Sequence, residues 1–225
     1  MEEFGVTLLG KINSLNVSLP VAVLHGTKEI ETGIFKKSAG QPLMLTFTGL
    51  IGDGQADLIN HGGPDKAVCV YSARHYPYWS AKWQREVEPG AFGENFTVSD
   101  LTEETLCIGD IVRAGHAWVQ VSQPRQPCFK LGMKHNLPEL PQQVQQNGYT
   151  GFYFRVLQEG VVAAGDPLYL ESRHAAGVTI AAANHVMYEQ KTSIDSMQRL
   201  LAIPELAESW RHTFQSRIAR LAADE

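Results

Sequence analysis

Apolar side chains recur at every second position through much of the first 170 residues, and this period of two predicts short strands. Leu43, Leu45 and Phe47 alternate with Met44 and Thr46; Ala117, Val119 and Val121 alternate with Trp118 and Gln120. Similar short apolar runs occur at Val68-Cys69-Val70, Ile111-Val112 and Leu168-Tyr169-Leu170. Gly52, Gly54, Gly90, Gly109, Gly115 and Gly165 fall where the chain must turn. Many short strands with frequent turns predict a mainly β fold, a closed or nearly closed barrel.

The period changes after about residue 175. Ile194, Met197, Leu200 and Leu201 have helical spacing behind Ser193 as N-cap, and Leu206, Trp210, Phe214 and Ile218 form a stripe beginning just after Pro204. Thr179 to Glu189 is also compatible with a helix, through Ile180, Ala183 and Val186. These patterns divide the chain into a β-barrel domain over residues 1–172 and a small C-terminal three-helix domain over 173–225. No internal repeat and no low-complexity linker interrupts them.

The chain is 225 residues long and 44% hydrophobic, enough to bury a real core. A net charge of -5, with 19 Lys and Arg spread along the chain, gives no electrostatic footprint for nucleic acid or an anionic membrane. The start, Met1-Glu2-Glu3-Phe4-Gly5, is acidic and leads into no unbroken apolar segment, so a cytoplasmic protein is expected. Cys69, Cys107 and Cys128 are too few and too far apart for a disulfide framework or a C-x-x-C zinc site. Eight histidines include no H-E-x-x-H, and no G-x-S-x-G is present.

The segment Gln123-Pro124-Arg125-Gln126-Pro127-Cys128-Phe129-Lys130 follows directly on an alternating strand. Its two prolines stiffen the loop and remove backbone donors, so the chain leaves the sheet where it offers its thiol. Arg125 and Lys130 bring cations near that sulfur, and cations favour the thiolate that binds soft metals or acts as a nucleophile. A small buried hydrophobe is the competing reading of Cys128. Cys69 and Cys107, between apolar neighbours, read as inert core residues.

Asn60-His61-Gly62-Gly63-Pro64-Asp65-Lys66 precedes the strand of Val68 and Val70. Paired glycines let backbone N–H groups converge on an anion, with Lys66 and His61 adding side-chain donors, although an ordinary Gly-Gly-Pro turn fits as well. Three weaker signals remain. Gly93-Glu94-Asn95-Phe96 either sets the Asn95 amide in a polar pocket or is a plain turn, and Lys36 and Lys37 either hold an anion or face solvent. Arg155, within the aromatic run Phe152-Tyr153-Phe154-Arg155, must reach water or an anionic partner.

Together with Gly49-Leu50-Ile51-Gly52-Asp53-Gly54-Gln55-Ala56-Asp57 and Ala164-Gly165-Asp166-Pro167-Leu168, these motifs resemble the MOSC family, named after the C-terminal domain of molybdenum cofactor sulfurase. Their order resembles the YiiM-like group, which also carries a C-terminal three-helix domain. The resemblance covers nearly the whole chain and implies a MOSC-type β-barrel with a cleft for a molybdenum cofactor (molybdopterin). By the same resemblance Cys128, which matches the protein ligand of molybdenum in amidoxime-reducing relatives, is the catalytic residue and metal ligand. Lys36, His61, Gly62, Gly63, Lys66, Asn95, Arg125, Lys130 and Arg155 would line the cofactor site.

The implied activity is reduction of small N-hydroxylated compounds such as 6-hydroxylaminopurine, with electrons from a separate reductase, since no G-x-G-x-x-G fingerprint for flavin or nicotinamide occurs. A non-catalytic carrier of the cofactor, or of sulfur as a Cys128 persulfide, is the alternative. No pyridoxal phosphate is expected, because the chain has no room for the sulfurase's aminotransferase-like region. Before Gly151, where the family suggests a further cation, the chain reads Tyr149-Thr150. Trp210 and Phe214 could pack on the barrel or on a second subunit, which leaves a homodimer open.

Overall fold

A computed structural model describes residues 7–58 and 62–223. Among these residues thirteen strands are seen: β1 (Thr7–Val17), β2 (Val21–His25), β3 (Lys28–Thr32), β4 (Lys37–Ser38), β5 (Leu43–Thr46), β6 (Gly49–Leu50), β7 (Val68–Ser72), β8 (Phe96–Val98), β9 (Ile111–Ala114), β10 (Ala117–Pro124), β11 (Phe152–Gln158), β12 (Gly160–Val162) and β13 (Pro167–Ser172). Among the described residues six α-helices accompany them: α1 (Tyr76–Trp83), α2 (Phe129–His135), α3 (Leu140–Asn147), α4 (Ile180–Tyr188), α5 (Ile194–Leu201) and α6 (Glu208–Ala223).

Alternation along β10 sends Ala117, Val119 and Val121 into the core, each 0% exposed, while Trp118 points outward at 37%. β10 is flanked by β9 and β11, and the order β13-β9-β10-β11-β7-β8-β1 closes through β1–β13 into a seven-stranded barrel. Closure removes the free edges that an open sheet would present. All its pairings are antiparallel except β7–β8. Parallel neighbours need a long crossover, and here it contains α1. β4 extends the sheet beside β1, while β12-β5-β6 and the β2–β3 hairpin form small satellites.

Phe47 departs from the expected alternation: β5 ends at Thr46, and Phe47 lies in the following turn at 51% exposure. The strand reading of the first 170 residues also hid α1, α2 and α3. Each is only seven or eight residues long, too short to display a period of 3.6. α1 and α3 instead begin with a proline in the first turn, where its missing N–H costs nothing. In the tail, Thr179 and Ser193 cap α4 and α5 by accepting hydrogen bonds from Ala182 N and Ser196 N.

Two apolar clusters hold the molecule together. The larger joins barrel residues such as Val112, Val119 and Phe154 to Ile180, Met197, Leu200, Trp210 and Phe214 of the C-terminal helices. Those helices therefore share the barrel's core. The smaller cluster packs Tyr71, Trp79, Phe92, Leu131, Leu140 and Val144 beneath α1, α2 and α3. It fixes α2, and hence the loop carrying Cys128, against the barrel wall. Among the described residues no helix is long and apolar enough to cross a membrane.

Candidate functional site

The stiff loop read from the sequence leaves β10 at Pro124, and Cys128 stands at the first position before α2. Beside it opens a cavity bounded by residues 32–36, 54–57 and 93–95 and by Cys69 and Tyr153 on the barrel wall. Its enclosed volume is about 80 Å³, below the ~300–1,000 Å³ of most small-molecule pockets. Any sizeable ligand would lie partly in the open mouth, where Cys128 is half-buried.

Six of the residues named from the sequence meet there: Cys128, Lys36, Lys66, Asn95, Arg125 and Lys130. Arg125 is 6% exposed; its Nη2 donates to Phe92 O at 2.6 Å, whereas Nη1 is buried without a hydrogen-bond partner. Burial alone would push this guanidinium down, but the fields of Cys69, Tyr153, Cys128 and Glu94 outweigh it and raise its pKa. It stays charged. Lys36 is ion-paired with Asp53 in the buried wall, and Lys130 Nζ reaches Glu31 O at 3.4 Å. Burial lowers the Lys66 pKa, against the fields of Asp65 and Asp57. The four lining cations face one lining carboxylate, Asp57, with Asp53 behind Lys36, so the pocket is electropositive.

Asn95 lines the cavity but its amide is fully engaged. Its Oδ1 accepts from Cys69 N at 3.1 Å, and its Nδ2 donates to Asn16 O at 3.2 Å and Asp53 Oδ2 at 2.8 Å. Gly62 and Gly63 do not line the cavity, and His61 lies outside the described residues. Arg155 also stands apart. Its Nη2 pairs with Asp65 Oδ1 at 2.7 Å and its Nη1 donates to Gln120 Oε1 at 3.1 Å. Of the two choices its sequence left open, the anionic partner holds. Asp65 Oδ2 in turn accepts from Glu208 N at 3.0 Å, so Arg155 helps to anchor the start of α6.

Four contributors escaped the sequence reading. Cys69 is 6% exposed, yet it lines the cavity; burial raises its pKa, with Arg125 opposing, and it remains a thiol at neutral pH. Tyr153 stands beside it, its pKa raised by burial. Glu94 is 0% exposed and accepts from Gly90 N, Phe92 N, Tyr76 Oη and Thr97 Oγ1, holding residues 90–94 in one shape. Lys134 Nζ donates to Ile34 O at 3.0 Å and Gly90 O at 2.5 Å, tying α2 to two loops of the wall. Glu94 and Tyr153 lay inside runs singled out in the sequence and Cys69 was read there as an inert core residue, but none was assigned to the site, and Lys134 left no trace.

Comparison with known proteins places this architecture. Residues 57–169 match the MOSC domain, and residues 178–221 match the YiiM-like, 3-alpha helix domain. The chain belongs to the MOSC family. It is 50% identical over 208 residues to YflK of Bacillus subtilis (strain 168), covering 92% of this chain and 94% of that protein. The crystal structure of YiiM from Geobacillus stearothermophilus superposes with a TM-score of 0.80 at 42% identity, covering 92% of this chain and 98% of that one. A protein of Gibberella moniliformis (strain M3125 / FGSC 7600) named Reductase is 32% identical over 180 residues. That match spans 78% of this chain and 32% of the longer fungal protein.

The cavity of this MOSC protein suits a molybdenum cofactor in its donor set. Among the described residues no group of three or more His, Cys, Asp or Glu could hold a metal ion alone. A metal here would need most of its donors from an organic partner, with one sulfur from the protein. The buried Nη1 of Arg125 and the surrounding lysines would meet an anionic, hydrogen-bonding ligand.

Proposed function

We propose that this protein holds a molybdenum cofactor in the electropositive cavity through the sulfur of Cys128 and reduces small N-hydroxylated molecules. The observation that carries the reading is that Cys128 and the buried Arg125, whose Nη1 has no hydrogen-bond partner, line the same cavity. Thiolate is the soft donor such a metal accepts. When bound, the cofactor supplies two-electron redox chemistry that removes oxygen from nitrogen.

The chain's own residues would do the rest. Arg125, Lys66 and Lys130 would bind the anionic part of the cofactor, with Lys36 held in place by Asp53. Asn95 would keep Cys69 and Asp53 in register behind them. Cys69 and Tyr153, both neutral at physiological pH, would donate hydrogen bonds without adding charge next to the Cys128 sulfur. The open mouth would admit a substrate such as 6-hydroxylaminopurine to the exposed side of Cys128.

Electrons would come from a separate reductase, because the sequence holds no flavin or nicotinamide fingerprint. About two thirds of the fungal Reductase lies outside its match to this chain, which leaves room there for such a module. The three free cysteines suit a reducing compartment, and we place the protein in the cytoplasm.

The test is metal and pterin analysis of protein purified from a host that makes the cofactor. Near-stoichiometric molybdenum in the wild type and its loss in Cys128→Ser are expected. Equal loading of the two proteins would exclude Cys128 as the ligand.

A further inference from the structure

A second, larger cavity lies on another side of the barrel, between the turn at residues 102–105, the end of α3 and α4. It opens on solvent and has a volume of about 690 Å³, within the ~300–1,000 Å³ of small-molecule pockets, and shares no lining residue with the Cys128 cavity. Two of its lining amides are left incomplete. Asn184, 6% exposed, donates through Nδ2 to Thr150 Oγ1 at 2.9 Å, while its Oδ1 is buried without a partner. Asn147 has a buried Nδ2 without a partner. A buried amide oxygen left unsatisfied costs about 1–3 kcal/mol, so a donor that reached Asn184 Oδ1 from the cavity would recover that cost.

The charge of the lining narrows what that donor can be. Asp100, Glu103, Glu104 and Glu189 face a single guanidinium, Arg74, which is already engaged with Asp100 at 3.6 Å, and Glu189 lies 3.1 Å from the ring of the lining His185, so Glu104 and the rim beside it carry the negative charge offered to a ligand. Glu103 Oε2 lies 2.8 Å from His75 Nε2, and the His75 ring stacks on Tyr149 with centroids 3.9 Å apart. Tyr149 and Tyr188 thus supply apolar surface beside a rim of acceptors. An anion would be repelled; a flat molecule bearing an amine or amidine would be matched at both ends.

From this we infer that the cavity is a second small-molecule site, taking a neutral or cationic amine- or amidine-bearing aromatic molecule. One residue links the walls of the two cavities: Gly151 N donates to Glu103 Oε1 at 2.6 Å, and Gly151 O accepts from the backbone N of Arg125 at 3.0 Å. A binding test must therefore tell the two cavities apart.

Benzamidine is the probe, with benzoate as its anionic counterpart, titrated calorimetrically into the full-length protein. Saturable one-to-one binding of benzamidine and none of benzoate is expected. Asn184→Ala should weaken it about tenfold, the worth of one hydrogen bond of ~1.4 kcal/mol. The exposed double variant Glu104→Gln with Glu189→Gln, which leaves the core untouched, should weaken it severalfold, and Cys128→Ser should leave it unchanged. Absence of saturable binding would overturn the inference. So would equal binding of benzoate, or loss of binding in Cys128→Ser with retention in the rim double variant.

Discussion

Glu94→Gln isolates the carboxylate that shapes the wall behind Arg125. In the wild type, Oε1 accepts from Tyr76 Oη at 2.6 Å, Gly90 N at 2.8 Å and Thr97 Oγ1 at 2.9 Å, while Oε2 accepts from Phe92 N at 2.9 Å. Glutamine keeps one oxygen. If that oxygen retains the first three donors, the new NH₂ faces the Phe92 N–H and a buried donor is orphaned, at about 1–3 kcal/mol. The other three bonds fall from charge-assisted to neutral, about 1 kcal/mol each. Relief of a fully buried charge returns part of that sum, leaving an expected net loss of about 2–4 kcal/mol. Urea unfolding followed by tryptophan fluorescence measures it, since Trp79 and Trp83 pack on Phe92. Because Phe92 O holds Arg125 Nη2, the same variant should also lose cofactor retention. A midpoint within about 0.5 kcal/mol of wild type would refute the idea that Glu94 organises this wall.

Lys134 predicts a rise of stability in mild alkali. Burial lowers its pKa from 10.5 to about 8, so between these values the unfolded chain holds more protons than the folded one. Stability then increases with pH across that window, by up to about 3 kcal/mol, and Lys134→Met should flatten the rise in a pH series of urea midpoints. Arg155→Met should cost about 1–3 kcal/mol by leaving Asp65 without its main cation, yet spare cofactor loading; equal loss of both would move Arg155 into the site. Trp210→Ala should lower stability by about 3–5 kcal/mol, with circular dichroism and tryptophan fluorescence reporting one coincident transition, because α6 shares the barrel's core. Two separate transitions would contradict that shared core.

The barrel was legible because strand burial is written residue by residue: Ala117, Val119 and Val121 face inward wherever the chain places them. The C-terminal helices were legible through Thr179 and Ser193, whose capping is local chemistry. The Pro-flanked loop of Cys128 was visible for the same reason. Phe47 misled because a turn, not a longer strand, follows Thr46.

What the sequence determined by itself, then, was the set of local periods, the caps and the one loop whose stiffness offers a thiol. Tertiary structure alone decided which distant side chains share a wall: Cys69 faces the cavity although its neighbours are apolar, and Arg155 turns to Asp65, 90 positions away. Burial and charge pairing are properties of neighbours in space. Neighbours brought together by barrel closure leave no period along the chain, which is why Lys134, Glu94 and the Asn184 cavity became apparent only once the sheet had closed.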